Sequence, residues 1–143
     1  FMLNNKIEFC YTSYSIVDNK NTIIKFIRAK KNIDYEALIK SCDIGLSTVM
    51  LKKKLLKKTK FTKIKTKEDY ILWLKLSKKN VKMVGLDQKL VLWRKLDNSL
   101  SSSVYQRVKD AFYVYNIFLK FNLIKSIYHI FLISLNSFRK RYL

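Results

Sequence analysis

Two adjacent carboxylates, Glu68 and Asp69, stand directly before the apolar run Tyr70-Ile71-Leu72-Trp73-Leu74. The chain has 10 acidic residues against 30 lysines and arginines, so a paired acid stands out. Residues 70–76 are apolar almost all the way round a helical wheel, which predicts a buried helix over 67–79. A carboxylate held at the mouth of such a helix can face a cleft and take a proton from a substrate hydroxyl. The same spacing also supports a structural role. Thr66-x-x-Asp69 fits a capping box, with Thr66 as N-cap and Asp69 answering from N3, and a helix dipole favours acids in its first turn. Spacing alone leaves both readings open.

Three further segments accompany the pair. Gly45-Leu46-Ser47-Thr48 precedes it; read alone, this is a tight turn entering a strand, its hydroxyls pairing with nearby backbone. Leu90-Val91-Leu92-Trp93-Arg94 follows it, with Ser99 and Ser101 beyond. An arginine at a strand end is usually a surface residue, although its planar fork suits phosphate. The chain opens with Phe9-Cys10-Tyr11-Thr12-Ser13-Tyr14, and Asp18 comes shortly after. In this order, across residues 1–103, the four pieces resemble the second half of the catalytic domain of family 2 glycosyltransferases, which have the GT-A fold.

That resemblance implies roles. Asp69 would be the general base and Glu68 its acidic neighbour. Gly45, Ser47, Thr48, Trp73, Arg94, Ser99 and Ser101 would contact substrate. The reaction would move a sugar from a nucleotide-sugar to a hydroxyl of a saccharide or lipid-linked acceptor, with inversion, in surface polysaccharide or glycolipid synthesis. The order Trp93-Arg94, in place of the processive members' Q-x-x-R-W, implies addition of one sugar. Two positions depart from the family pattern: Lys89 stands where relatives often have proline, and Trp93 replaces the usual tyrosine. In the family an Asp-x-Asp motif holds a divalent metal, Mg or Mn, against the leaving diphosphate. This chain has no Asp-x-Asp, and its only glycines are Gly45 and Gly85. The expectation is therefore a fragment without the nucleotide-binding half, binding no metal by itself and inactive alone. The start at Phe1-Met2 reads the same way. The implied location is cytoplasmic, with a peripheral place on the inner face of the membrane as the alternative.

Element signals fit this frame. Residues 7–17 and 22–28 read as strands joined by a turn at 18–21. Asp34 can cap a helix over 35–42. A short buried strand over 46–51, a helix over 52–58, and strands over 81–84 and 89–93, parted by Gly85 and Asp87, complete the first part. Residues 97–103 read as a polar loop. From 105 onward two apolar-faced helices follow, broken near Asn122. The fold class is α/β: a partial GT-A sheet with covering helices over 1–103, then a helical extension over 104–143.

A chain of 143 residues is at most one domain. The net charge of +20 suggests anionic partners, namely nucleic acid, acidic headgroups or phosphorylated substrates. A lysine-rich and alanine-poor skew of this kind also follows from AT-rich coding. Nine of the sixteen residues 52–67 are lysine, which is a solvated face by default or a contact with an anionic membrane, worth about 1 kcal/mol per lysine. Nucleic-acid binding is the leading rival function, and a membrane-surface interaction module without chemistry is the third. It asks for exposed aromatics beside a basic face, whereas the aromatics here sit in apolar periodic runs. In the tail, Lys120 and Lys125 interrupt the apolar stretch, so no run of about 20 residues can span a bilayer. The tail can pack on the domain, or lie on a membrane with Arg139-Lys140-Arg141 at the headgroups. His129 reads as a packing residue, and Cys10 and Cys42 as isolated reduced thiols.

Overall fold

The computed structural model describes residues 1–57, 59–96 and 103–142, with side chains through 140. Its elements are β1 (Phe9–Val17), β2 (Ile23–Ile27), β3 (Asn32–Ile33), α1 (Tyr35–Leu38), a 3₁₀ turn (Leu46–Thr48), β4 (Val49–Leu51), α2 (Lys54–Lys57), α3 (Glu68–Lys78), β5 (Met83–Arg94), α4 (Val104–Phe112), a π-helical turn (Tyr113–Phe118) and α5 (Leu123–Tyr142). The architecture is mixed α/β, as expected.

One sheet runs in the order β2-β1-β5-β3, with β4 paired to β1 beside β2. β1 is central, and seven of its nine residues are buried. Such a strand reads as a near-continuous apolar run because neighbours cover both of its faces. β1 and β2 form the expected antiparallel hairpin, and β1 lies parallel to β5.

β5 corrects the expectation of two strands. Gly85 and Asp87 interrupt the pattern, but the chain continues through them as one strand of 12 residues. Against β1 its register jumps from Thr12↔Leu86 to Ser13↔Lys89, so Asp87 and Gln88 bulge outward. Bulges of this kind bend a strand without ending it. The Ser13 hydroxyl holds the bulge by donating to Asp87 at 2.7 Å while accepting from the Ala29 amide at 2.9 Å. Gly85 permits a close crossing, because a Cβ there would lie 2.0 Å from the Lys30 carbonyl oxygen. The breaker residues thus mark a kink within a strand.

Two other elements are shorter than their signals. Asp34 accepts from the Ala37 amide as an N-cap, but the helix lasts only from Tyr35 to Leu38. Over 46–51 a 3₁₀ turn precedes a three-residue strand at the sheet's edge, where Met50 is exposed.

α3 is the axis of the core. Tyr70, Ile71, Leu72, Trp73, Leu74 and Leu76 are each 0–1% exposed. A large apolar side chain so enclosed gains roughly 1.5–3 kcal/mol by leaving water. The Tyr70 hydroxyl donates to the Leu38 carbonyl at 2.6 Å, and the Tyr115 hydroxyl donates to the Ile39 carbonyl at 2.9 Å. The two phenol oxygens stand 3.1 Å apart. Burial pushes both phenols far above their ordinary range, so they stay protonated donors.

The helices after residue 103 share this core. Ala111, Val114, Tyr115, Leu119 and Ile133 join the same cluster as β1 and α3. The break between them falls at 119–122, with Lys120 in the left-handed region at φ 57°. α5 is fixed to the loop after α1 by Asn136 donating to the Lys40 carbonyl at 2.9 Å, and by Lys140 paired with Asp43 at 3.6 Å. Lys140 therefore points toward Asp43, as the packing alternative for the tail requires. Among the described residues no helix is long and apolar enough to cross a membrane.

Candidate active site

The N-terminus of α3 opens onto a cleft of about 550 Å³. Its walls come from four parts of the chain: Tyr14 and Ile16 of β1, Gly45, Leu46, Ser47 and Thr48, then Lys65, Thr66, Glu68 and Asp69, and Val91, Trp93 and Arg94 of β5. Ser137 and Lys140 of α5 close one side. Six of the residues singled out from sequence meet here: Gly45, Ser47, Thr48, Glu68, Asp69 and Arg94.

Asp69 is half-buried at the cleft wall, and its Oδ1 accepts from the Tyr70 amide at 2.7 Å. Burial pushes its carboxyl above the ordinary range, and the adjacent Glu68 charge pushes the same way. The Tyr70 amide and Lys67 work against that rise without cancelling it. Glu68 contributes a buried Oε2 with no hydrogen-bond partner among the described residues.

The capping box is not the arrangement adopted. Lys67 is the N-cap of α3, with no side-chain cap bond. Thr66 instead donates from its amide and its hydroxyl to Asp110 Oδ2, at 2.9 and 2.8 Å. Asp110 is 5% exposed on α4 and also accepts from Gln106 at 3.0 Å. An acid 44 residues downstream of Thr66 thus fixes the approach to α3, while Asp69 accepts from the Tyr70 amide of its first turn. Local spacing carries no signal of that contact.

The other candidates take varied places. Ser47 is exposed on the wall, while the Thr48 hydroxyl is spent on the Gly45 carbonyl at 2.7 Å. Gly45 has φ −78° and room for a Cβ, 3.8 Å from Thr48, so its backbone does not demand glycine. Arg94 lines the cleft, but its guanidinium grips the β1–β2 turn: Nη2 donates to Asn21 Oδ1 at 2.7 Å and Nη1 to the Asp18 carbonyl at 3.2 Å. Its fork holds the hairpin rather than standing open for phosphate. Trp73 requires correction as a substrate contact. It is 1% exposed and packs edge-on against Phe9, ring centres 4.9 Å apart, because the fully apolar α3 turns that face into the core. Ser99 and Ser101 lie outside the described residues.

Cys42, Ser137 and Lys140 had no sequence signal as cleft residues. Asn136 and Lys140 anchor α5 to the 40–43 segment, and that long-range docking puts them there. Burial pushes the Cys42 thiol up to about 11, so it stays neutral. Asp43 is opposed by burial, but Lys140, Lys30 and Ser41 hold its carboxyl below the ordinary range. Among the described residues no group of three His, Cys, Asp or Glu side chains could hold a metal ion. No chemical step is assigned to the divalent ion that the family resemblance implies.

No family model matches the chain, and no solved structure matches it significantly. Curated proteins do match. A protein of Bacillus subtilis named as a teichuronic acid biosynthesis glycosyltransferase, TuaG, is 28% identical over 142 residues, covering 99% of this chain and 56% of its own. The homologues are glycosyltransferases. A second, from Escherichia coli, is the UDP-Glc:alpha-D-GlcNAc-diphosphoundecaprenol beta-1,3-glucosyltransferase WfgD, 36% identical over 109 residues, which are 76% of this chain and 42% of that protein. WfaP, an Escherichia coli glucosyltransferase named for the same reaction, is 37% identical over 82 residues, 57% of this chain and 32% of its own. The chain spans about half the length of the curated relatives it matches. These homologues are transferases of cell-surface polysaccharide and glycolipid synthesis, and a cleft with a paired acid suits that chemistry.

Proposed function

We propose that this chain is the acceptor side of an inverting, non-processive glycosyltransferase of family 2, with a partial GT-A fold and Asp69 as general base. The observation that carries the reading is the cleft: Glu68 and Asp69 line it together with Gly45, Ser47 and Thr48, drawn from separate segments. In the proposed step an acceptor hydroxyl gives its proton to the Asp69 carboxylate. The hydroxyl oxygen then bonds to the anomeric carbon of a nucleotide-sugar, from the face opposite the diphosphate. The bond from that carbon to the diphosphate breaks, and the electron pair leaves with the phosphate oxygen. Raising the basicity of Asp69 by burial and by Glu68 favours the proton transfer. A divalent metal on the leaving group would be held by residues outside this chain. The acceptor is a saccharide or lipid-linked sugar, in line with the reactions named for the relatives.

The nucleic-acid alternative has less support. Aromatics such as Tyr105, Tyr128 and Phe131 are exposed, against the expectation that they are mostly buried, but the homologues are transferases.

The test is Asp69→Asn in the longest natural form of the protein, measured by sugar transfer from a nucleotide-sugar. The expected loss is about 10²–10⁴-fold in kcat, with a melting temperature close to that of the parent. Unchanged transfer per folded molecule would overturn the base assignment.

A further inference from the structure

Helix α5 carries its polarity the wrong way round for a helix that covers a core. The arc against the protein holds Ser126 and His129, both buried, and Asn136 and Lys140, which reach the Lys40 carbonyl and Asp43; Ile133 is its buried aliphatic residue. The arc turned outward holds Ile124, Tyr128 and Phe131, spaced four and three residues apart and 81%, 57% and 63% exposed. A helix on a water-facing surface puts its apolar stripe inward and its polar residues outward. The outer side of α4 has the same character, with Tyr105, Val108 and Phe112 exposed at spacings of three and four. The two outer arcs adjoin, because Val108 of α4 and Ser134 of α5, one turn beyond Phe131, line the same trench. A contiguous exposed apolar patch marks an interaction surface.

We infer that the outer arcs of α4 and α5 are a docking surface for an anionic lipid bilayer, on which both helices lie flat. Charge selects this occupant. Asp110 is the one acid among residues 104–143, and it is buried on Thr66 and Gln106. Lys109, Lys125 and Arg139 are exposed beside the apolar side chains. An apolar arc bordered by cations alone matches the boundary between acyl chains and acidic headgroups. A second copy of this face would set lysine and arginine against lysine and arginine. A nucleic acid would use the cations but leave Ile124 and Phe131 in water. The geometry fits as well. α5 has 20 residues, so it is about 30 Å long, and among the described residues no helix is apolar enough to cross. Insertion is therefore along the surface. The tail thus does both things its sequence allows: the inner arc packs and the outer arc docks. The inference does not rest on sugar transfer, because none of the apolar residues named for the two arcs lines the cleft.

The experiment is co-sedimentation of the 143-residue chain with vesicles of phosphatidylcholine alone and of phosphatidylcholine and phosphatidylglycerol in equal amounts. The chain is expected on the mixed vesicles and far less on the neutral ones, with the bound share falling as salt is added. Phe131→Ser and Ile124→Ser keep the charge and remove apolar contact, so each should lower partitioning about tenfold with the melting temperature unchanged. Lys109→Gln and Lys125→Gln should each lower it about fivefold on the mixed vesicles. Met50→Ser, at an equally exposed apolar position on β4, should change nothing. Should Phe131→Ser melt early, Ile124→Ser decides. Binding by both serine variants equal to the parent's would show that net charge alone attracts the chain, and would overturn the inference. A dimer in lipid-free solution that the serine variants dissolve would give the face to a second copy, with the same consequence. So would retention on a uridine RNA homopolymer, lost in Lys109→Gln, by a chain that ignores vesicles. Asp69→Asn should bind vesicles as the parent does, so the docking surface and the base assignment fail separately.

Discussion

Asp69 and Glu68 differ in how they meet the protein, and that difference sets their roles. Asp69 has one oxygen on the Tyr70 amide, and its carboxyl is pushed above the ordinary range, first by burial and then by Glu68. A carboxyl whose folded pKa is raised binds a proton more readily in the folded state than in the unfolded chain. It therefore costs stability as pH rises through the interval from its unfolded to its folded value, and over the same interval it becomes available as a base. Glu68→Gln removes a neighbouring negative charge and keeps the side chain's size. The acid limb of kcat/KM should move to lower pH, because Asp69 then ionises more easily. A limb that stays in place would show that the two carboxyls are not coupled, and a limb that moves upward would reverse their proposed relation. The pair was visible in the sequence because two acids before an apolar run are rare in so basic a chain. Lys140 and Asp110 were invisible as partners of this site, since each reaches it from a helix far along the chain and carries no local signature.

Helix α3 positions the acids, and its hold on the rest of the core runs through two phenols. Tyr70 and Tyr115 donate to consecutive carbonyls, Leu38 and Ile39, at the end of α1. These carbonyls face an apolar interior, where a lone acceptor costs about 1–3 kcal/mol. Tyr70→Phe removes one of the two donors to the Leu38 carbonyl, the other being the Ser41 amide at 3.2 Å, with almost no change in volume. Its unfolding free energy should fall by about 0.5–1.5 kcal/mol, the worth of one hydrogen bond, read as a lower denaturant midpoint with an unchanged m-value; a neutral result would mean that the Ser41 amide alone satisfies the carbonyl. At this scale the sequence was informative where burial is uniform and misleading where structure is non-local. The helix over 67–79 could be read because every face of it is apolar, and it is observed as Glu68–Lys78. The β1–β2 hairpin could be read from its turn residues. The two strands expected around Gly85 and Asp87 are one strand, since the parallel partner β1 and the bonds of Ser13 and Arg28 to Asp87 keep the chain extended through its bulge. The strand expected over 46–51 lost its first half to a 3₁₀ turn that Thr48 closes on Gly45.

For the molecule as a whole, the decisive feature is that the helical tail is built into the core rather than appended to it, and His129 reports on that union. Its ring stacks on Tyr115 at 5.3 Å and lies 5.2 Å from the Phe121 ring, with 4% of the residue exposed. Burial pulls its pKa below the ordinary histidine value; Lys125 and Lys40 act in the same direction, while the Ile39 carbonyl and Glu36 oppose them. A histidine with a depressed folded pKa takes up its proton first in the unfolded chain. Its contribution to stability is present above the unfolded value, near 6.5, and is lost as pH falls from there toward the folded value. The melting temperature should accordingly drop as pH falls below about 6.5, above the range where most carboxylates titrate. His129→Phe keeps an aromatic ring against Tyr115 and removes the titration, so it should flatten that slope even if it shifts the midpoint. Because α5 also supplies Ser137 and Lys140 to the cleft, acid that loosens the tail should open the cleft on that side at the same time. Thermal melts of parent and variant across that interval decide the matter: a slope that survives in His129→Phe would place the acid-sensitive contact elsewhere and separate the tail's docking from its histidine.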